Sequence, residues 1–151
     1  MRITGQVKLT YNRLPKLTAS VTRQAQEAVG KTAYLIEARA KVYLRNKIYI
    51  PKPRPYVLTG ALLNSICVVA SYGALYGATS QNAARGEASR RNPKAGMVSL
   101  PLPNSGTISA TVGPVVEYGY YVEIVHGYSF LIPAAEDTRA EFLRLMRNIT
   151  K

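Results

Sequence analysis

Between residues 17 and 47 the chain places Leu17, Val21, Ala25, Ala28, Thr32, Ile36, Ala40 and Tyr43 at steps of three and four. That is the spacing of one buried face of an α-helix, and no proline interrupts it; only Gly30 weakens it. At 1.5 Å per residue the predicted helix reaches roughly 45 Å. Thr18 or Ser20 can cap its start. Ahead of it, residues 2–11 alternate loosely, with Ile3, Val7, Leu9 and Tyr11 on one parity, which predicts a short strand that Gly5 weakens and Pro15 closes off. Behind it, Pro51, Pro53 and Pro55 end the helix in a stiff connector.

The second half reads as shorter elements. Thr59 can cap a single turn holding Ala61, Leu62 and Leu63, which passes into a strand over 65–71. Residues 73–96 are rich in Gly, Ala, Ser and Asn, and read as a long hairpin arm or loop. Two further strands are predicted over 97–102 and 107–112, joined through Pro103, Asn104, Ser105 and Gly106. Pro133 suits the first turn of a final helix, with Glu136 and Asp137 near its positive end. Phe142, Leu145, Met146 and Ile149 form that helix's apolar stripe, with Arg139, Arg144, Arg147 and Lys151 facing elsewhere.

Between the last strand and the final helix lies an aromatic stretch: Tyr118, Tyr120, Tyr121, Tyr128 and Phe130. That density exceeds what one small core needs and suits a surface that binds protein. These residues and Glu123 are the candidate subunit interface.

A chain of 151 residues with 47% hydrophobic content is expected to form one domain, residues 1–151, with a substantial core. No apolar run approaches the roughly 20 residues that span a bilayer, and residues 1–5 hold no apolar signal core. Cys67, alone within Ile-Cys-Val-Val, reads as a core residue of a protein made in a reducing compartment.

Charge changes the picture most. The net +12 is uneven: residues 1–54 hold 12 basic and 2 acidic side chains, and residues 55–84 hold none. Arg85, Arg90, Arg91 and Lys94 then form a second basic cluster with one acid, Glu87, among them. Such asymmetry implies a polyanion or an acidic protein partner. Those four residues, with Arg39 and Arg45 on the long helix, are candidates to face DNA or a lumen.

Chemistry for catalysis is sparse. His126 is the one histidine, without a second histidine or a neighbouring cysteine to complete a metal site. Cys67 lies in an apolar strand pattern that disfavours its thiolate. Glu117 and Glu123, six residues apart, share no helical face as an acid/base pair, and no phosphate-cradling glycine loop occurs. Neither an enzyme nor a bound cofactor is expected. Zinc-finger, aromatic RNA-binding and helix-turn-helix signatures are also missing, so the charge alone supports contact with phosphates.

Three features in order resemble the tail-completion (head–tail joining, or neck) proteins of long-tailed bacteriophages. The first is the long basic helix. The second is Pro55, Thr59, Gly60, Leu62, Ser65 and Ile66 in a Pro-x-x-x-Thr-Gly-x-Leu-x-x-Ser-Ile pattern. The third runs from Val112-Gly113 through Tyr118 and Tyr121-Val122-Glu123 to Phe130-Leu131 and Pro133-Ala134. The usual Glu-Phe-Gly-Thr continuation is replaced by Glu123-Ile124-Val125-His126-Gly127, and residues 73–96 look enlarged.

The resemblance implies an α+β subunit, its N- and C-terminal helices packed on a small antiparallel sheet with an extended hairpin or loop. It implies a homo-oligomeric ring, six-fold in preference to twelve-fold, in the virion neck of particles assembled in the host cytoplasm. Head-completion or portal proteins would lie on one side, tail terminator or tail tube proteins on the other, and double-stranded DNA in the lumen. The alternative is a small basic protein that binds nucleic acid without sequence preference; a nuclease built on His126 is a third reading.

Overall fold

The computed structural model describes residues 7–11, 19–51, 59–72, 77–103 and 106–149. The candidate cap at Thr18, the break at Pro15, the connector at Pro53 and Pro55, the centre of the 103–106 turn and Lys151 lie outside them. The architecture is α+β, two helices on a three-stranded antiparallel sheet.

The long helix, α1, spans Ala19–Leu44, and a wider turn, Arg45–Tyr49, continues it. Its buried face is Ala25, Val29, Ala33, Ile36, Ala40 and Leu44, close to the predicted stripe. The small alanines let the helix approach the sheet closely. The wide turn ends where Ile50 donates its N–H to the carbonyl of Arg45, five residues back.

The sheet is ordered β1 (Val7–Tyr11), β3 (Ile108–Pro114), β2 (Ile66–Ala70), with β3 central. Val112 stands opposite Val7 on one side and Val68 on the other. Every residue of β3 is buried, so both faces of the sheet are covered. Alternation along β2 divides the work: Ile66 and Val68 join the α1 core, while Cys67 packs with Ala84, Leu100 and Val115 on the other face.

A short helix, α2 (Ala61–Ser65), precedes β2. The cap position of α2 falls on Gly60, not on Thr59 as expected, but Thr59 Oγ1, one residue earlier, accepts the N–H of Ala61 at 3.2 Å. Gly60 between them adopts φ 78°, a conformation that side chains resist.

Two segments differ from expectation. Within 73–96, residues 81–91 are neither hairpin nor loop but a helix, α3 (Gln81–Arg91). Ser80 caps it by accepting the N–H of Ala83, Glu87 pairs with Arg90 and Arg91, and Ala84 and Ala88 are its buried contacts. Its small residues look loop-like in sequence, yet they permit close packing.

Residues 97–102 form no strand. Met97 makes one isolated bridge with Val116, and Leu100 donates its N–H to Gln81 Oε1 at 2.7 Å. Pro101 and Pro103 lack the N–H groups a ladder needs.

The last helix, α4 (Leu131–Ile149), runs antiparallel to α1. Tyr43 reaches Asp137, Arg39 reaches Thr138 and Glu141, so numbers fall on one helix as they rise on the other. Between β3 and α4 the chain turns tightly at Gly119, where a Cβ would lie 2.5 Å from Pro114 Cγ, and then makes a wide turn, Tyr121–Val125.

Candidate interaction surfaces

The aromatic stretch divides into an inner and an outer set. Phe130 is fully enclosed in the core and Glu123 is 3% exposed, so neither is available to a neighbouring subunit. Tyr118 and Tyr128 pack against the core. Burial pushes the Tyr118 phenol above its ordinary value, while its hydrogen bonds to Thr59 and the Leu62 backbone pull the other way. Tyr49 is likewise raised by burial and hydrogen-bonded to the Leu63 backbone, so both phenols are anchored on α2. Tyr118 therefore serves the inside of the subunit, a correction to its interface assignment. Tyr120 stacks edge-to-face on Tyr121, ring centres 5.7 Å apart, and Tyr121 is 52% exposed.

Glu123 has a different task from the one expected of it. Its Oε2 accepts the N–H groups of Phe130 at 2.7 Å and Leu131 at 3.1 Å. Its Oε1 accepts Ile132 N–H at 3.1 Å and Ser129 Oγ–H at 2.8 Å. One buried carboxylate thus satisfies the otherwise unpaired donors of α4's first turn and sits at its positive end. Glu136 and Asp137, expected near that end, lie a turn further on; Asp137 instead accepts from Tyr43.

The wide turn places Ile124 and Val125 outward, 47% and 59% exposed, beside Tyr121. Ile132 is 47% exposed, and its backbone is held against the same turn by Glu123. Together they make an exposed apolar set, the knob, on the segment whose Ser129 carbonyl accepts from Lys47 Nζ. Sequence reasoning named only Tyr121 of this set. His126, also on this rim, is exposed.

The candidate cations also divide. Arg39 ties α1 to α4: Nη1 donates to Thr138 Oγ1 at 2.8 Å, and Nη2 lies 3.6 Å from Glu141 Oε2. Arg85 Nη2 donates to Ser99 Oγ at 2.6 Å, and its Nε is buried without a partner. Both therefore make a bond within the subunit while part of each side chain still reaches solvent. Arg45, Arg90, Arg91 and Lys94 are exposed, and the pairs of Arg90 and Arg91 with Glu87 are surface pairs of small energetic value.

Toward the N-terminal half of α1 the two helices leave a groove of about 740 Å³. Gly30, Tyr34, Leu35, Tyr72 and Leu145 line it, and Arg23, Glu27, Lys31 and Glu141 stand around it. Tyr72 is fixed there by donating to the Gln26 carbonyl at 2.7 Å.

Cys67 is enclosed, and burial, with Glu37 as a lesser cause, pushes its thiol from 9.0 up to about 12. Burial likewise raises Tyr72 from 10.0 to about 12. A raised acid stabilises the fold fully below its unfolded value, and the contribution is lost as pH rises through the folded one. Stability is therefore expected to fall from about pH 9 upward. Cys67→Ala should flatten the first part of that decline in denaturant melts. A decline of unchanged shape would remove Cys67 as its cause.

Among the described residues, no cluster of three His, Cys, Asp or Glu side chains is arranged to hold a metal, and no helix is long and apolar enough to cross a membrane. What the geometry presents is two unpartnered apolar features and a basic surface. Comparison of the chain with protein-family models, curated proteins and solved structures finds no match.

Proposed function

We propose that this chain is a non-enzymatic, ring-forming subunit of the head–tail junction of a long-tailed bacteriophage, with head-completion or portal proteins on one side and tail proteins on the other. The observation that carries the reading is the ordered motif set, whose residues occupy the joints of the fold. Thr59, Gly60, Leu62, Ser65 and Ile66 build the α2–β2 elbow. Val112 and Gly113 lie in the central strand, and Glu123, Phe130, Leu131 and Pro133 build the start of α4.

The charge supports the same reading. Arg45, Arg90, Arg91 and Lys94 reach solvent, and a basic wall beside packaged DNA needs no base readout. Six-fold symmetry is the preferred closure.

The test is native mass spectrometry and electron microscopy of the purified protein with neck partners, expected to give a closed ring. A persistent monomer that never enters particles would sink the proposal. If that monomer instead shifts short DNA duplexes, with affinity falling steeply as salt rises, the alternative of a non-specific nucleic-acid-binding protein takes its place.

A further inference from the structure

The knob and the groove lie at opposite ends of the α1–α4 pair. The knob stands beside Lys47, and the groove opens at Tyr34 and Leu35, roughly 20 Å away along the α1 axis. Exposed apolar side chains and an apolar groove so placed cannot meet within one chain. They can meet between two copies, and such an unlike-surface contact repeats around a ring or along a filament.

Charge selects this occupant for the groove. No Lys or Arg occurs between Lys94 and Arg139, so the chain around the knob carries Glu117, Glu136 and Asp137 as its exposed charges. Lys47, on the wide turn that continues α1, is the cation bonded there. Glu136 lies four residues beyond Ile132, on the same helical face, and has no ion-pair partner among the described residues. At the groove, Arg23 and Glu27 pair with each other and Glu141 pairs with Arg39 and Arg144, which leaves Lys31 without a carboxylate among the described residues. Glu117 and Asp137 form no ion pair among the described residues either, so the knob side carries acids without cations and the groove carries Lys31 without a carboxylate. DNA would answer Lys31 but not the floor of Tyr34, Leu35, Tyr72 and Leu145, which asks for apolar side chains.

We infer that the knob of one copy, Tyr121, Ile124, Val125 and Ile132, seats in the α1–α4 groove of the next, with Glu136 meeting Lys31 across the contact. The inference rests on the ring reading and names both halves of its repeating interface. Arg45, Arg90, Arg91 and Lys94 take no part in it and are left for other partners.

The two halves can be broken separately at exposed positions. A knob variant carries Ile124→Lys and Val125→Lys; a groove variant carries Lys31→Glu and Tyr34→Glu. Native mass spectrometry, with circular dichroism melts to confirm folding, is expected to find wild type assembled and each variant monomeric. Mixed, they should give a dimer of one of each and nothing larger, since only one intact knob and one intact groove remain. The double change Lys31→Glu with Glu136→Lys should assemble better than either single change. If wild type forms a ring and both variants do so too, the inference fails while the ring reading stands. If the groove variant assembles alone and the knob variant does not, the knob meets its own kind and the inference also fails. A wild type monomeric at every concentration, with neck partners as well as alone, overturns both readings.

Discussion

Replacing Glu123 by alanine is expected to destabilise the fold by about 3–5 kcal/mol, since each buried donor left unpaired costs about 1–3 kcal/mol. Three backbone N–H groups and one hydroxyl converge on its two oxygens, and it is nearly fully buried. Water entering the vacated space would recover part of the loss, so the total lies below the simple sum. For a chain of this size each kcal/mol lowers Tm by about 2–4 °C, which predicts a fall of roughly 10 °C or more. Glu123→Gln keeps the shape but turns an amide N–H₂ toward donors, and should cost about half as much. Urea melts are the check, with the midpoint falling at constant slope. A change under 1 kcal/mol for the alanine variant would mean that the α4 N-terminus is satisfied some other way.

The same substitution reaches the assembly. Ile124 and Val125 lie on one side of the Glu123 bonds and Ile132 on the other, so the carboxylate fixes the shape of the apolar knob. A folded but loosened Glu123→Gln chain should assemble more weakly than wild type.

Much of the fold was legible because its long elements follow a period. The α1 stripe from Ala25 to Ala40, the β2 and β3 strands and the apolar side of α4 all carry the spacing their structure demands. What escaped does not follow a period. Helix α3 buries only alanines, so it has no apolar stripe; its signals were a capping Ser80 and the acid–base spacing of Glu87 with Arg90 and Arg91. The outward aim of Ile124 and Val125 comes from a turn closed by His126 N–H on the Tyr121 carbonyl, five residues apart, which a 3.6-residue reading cannot foresee. The tyrosine surplus was real, but Tyr118 and Tyr49 direct their phenols to the backbone of α2. Side chains able both to pack and to hydrogen-bond look alike in sequence whether they face a core or a partner. Arg39 and Arg85 make the same point for charge: their internal acceptors, Thr138 and Ser99, are 99 and 14 residues away.

Glu37 is the other position where a single change should have a large effect. It is 3% exposed on α1. Lys41 donates to it, and the N–H of Thr79 reaches its Oε2 at 3.0 Å while the Thr79 hydroxyl reaches Oε1. The carbonyl of Thr79 in turn accepts the N–H of Val68 at 3.0 Å, so Glu37 pins the segment that completes the outer edge of β2 and leads into the Ser80 cap of α3. Glu37→Ala removes the anion and leaves the Lys41 ammonium, only 29% exposed, beside an unpaired amide. The expected cost is about 3–4 kcal/mol, near the lower end for breaking a buried pair because Lys41 can turn toward water. Glu37→Gln with Lys41→Met removes both charges at similar volume, and should cost less than Glu37→Ala alone. Urea melts of Glu37→Gln, Lys41→Met and their double variant, each against wild type, form a double-mutant cycle. Amide exchange at Val68 should quicken in Glu37→Ala as the edge opens. If the double change costs as much as the two single changes together, Glu37 and Lys41 act independently. The pin would then be the Glu37–Thr79 bond alone.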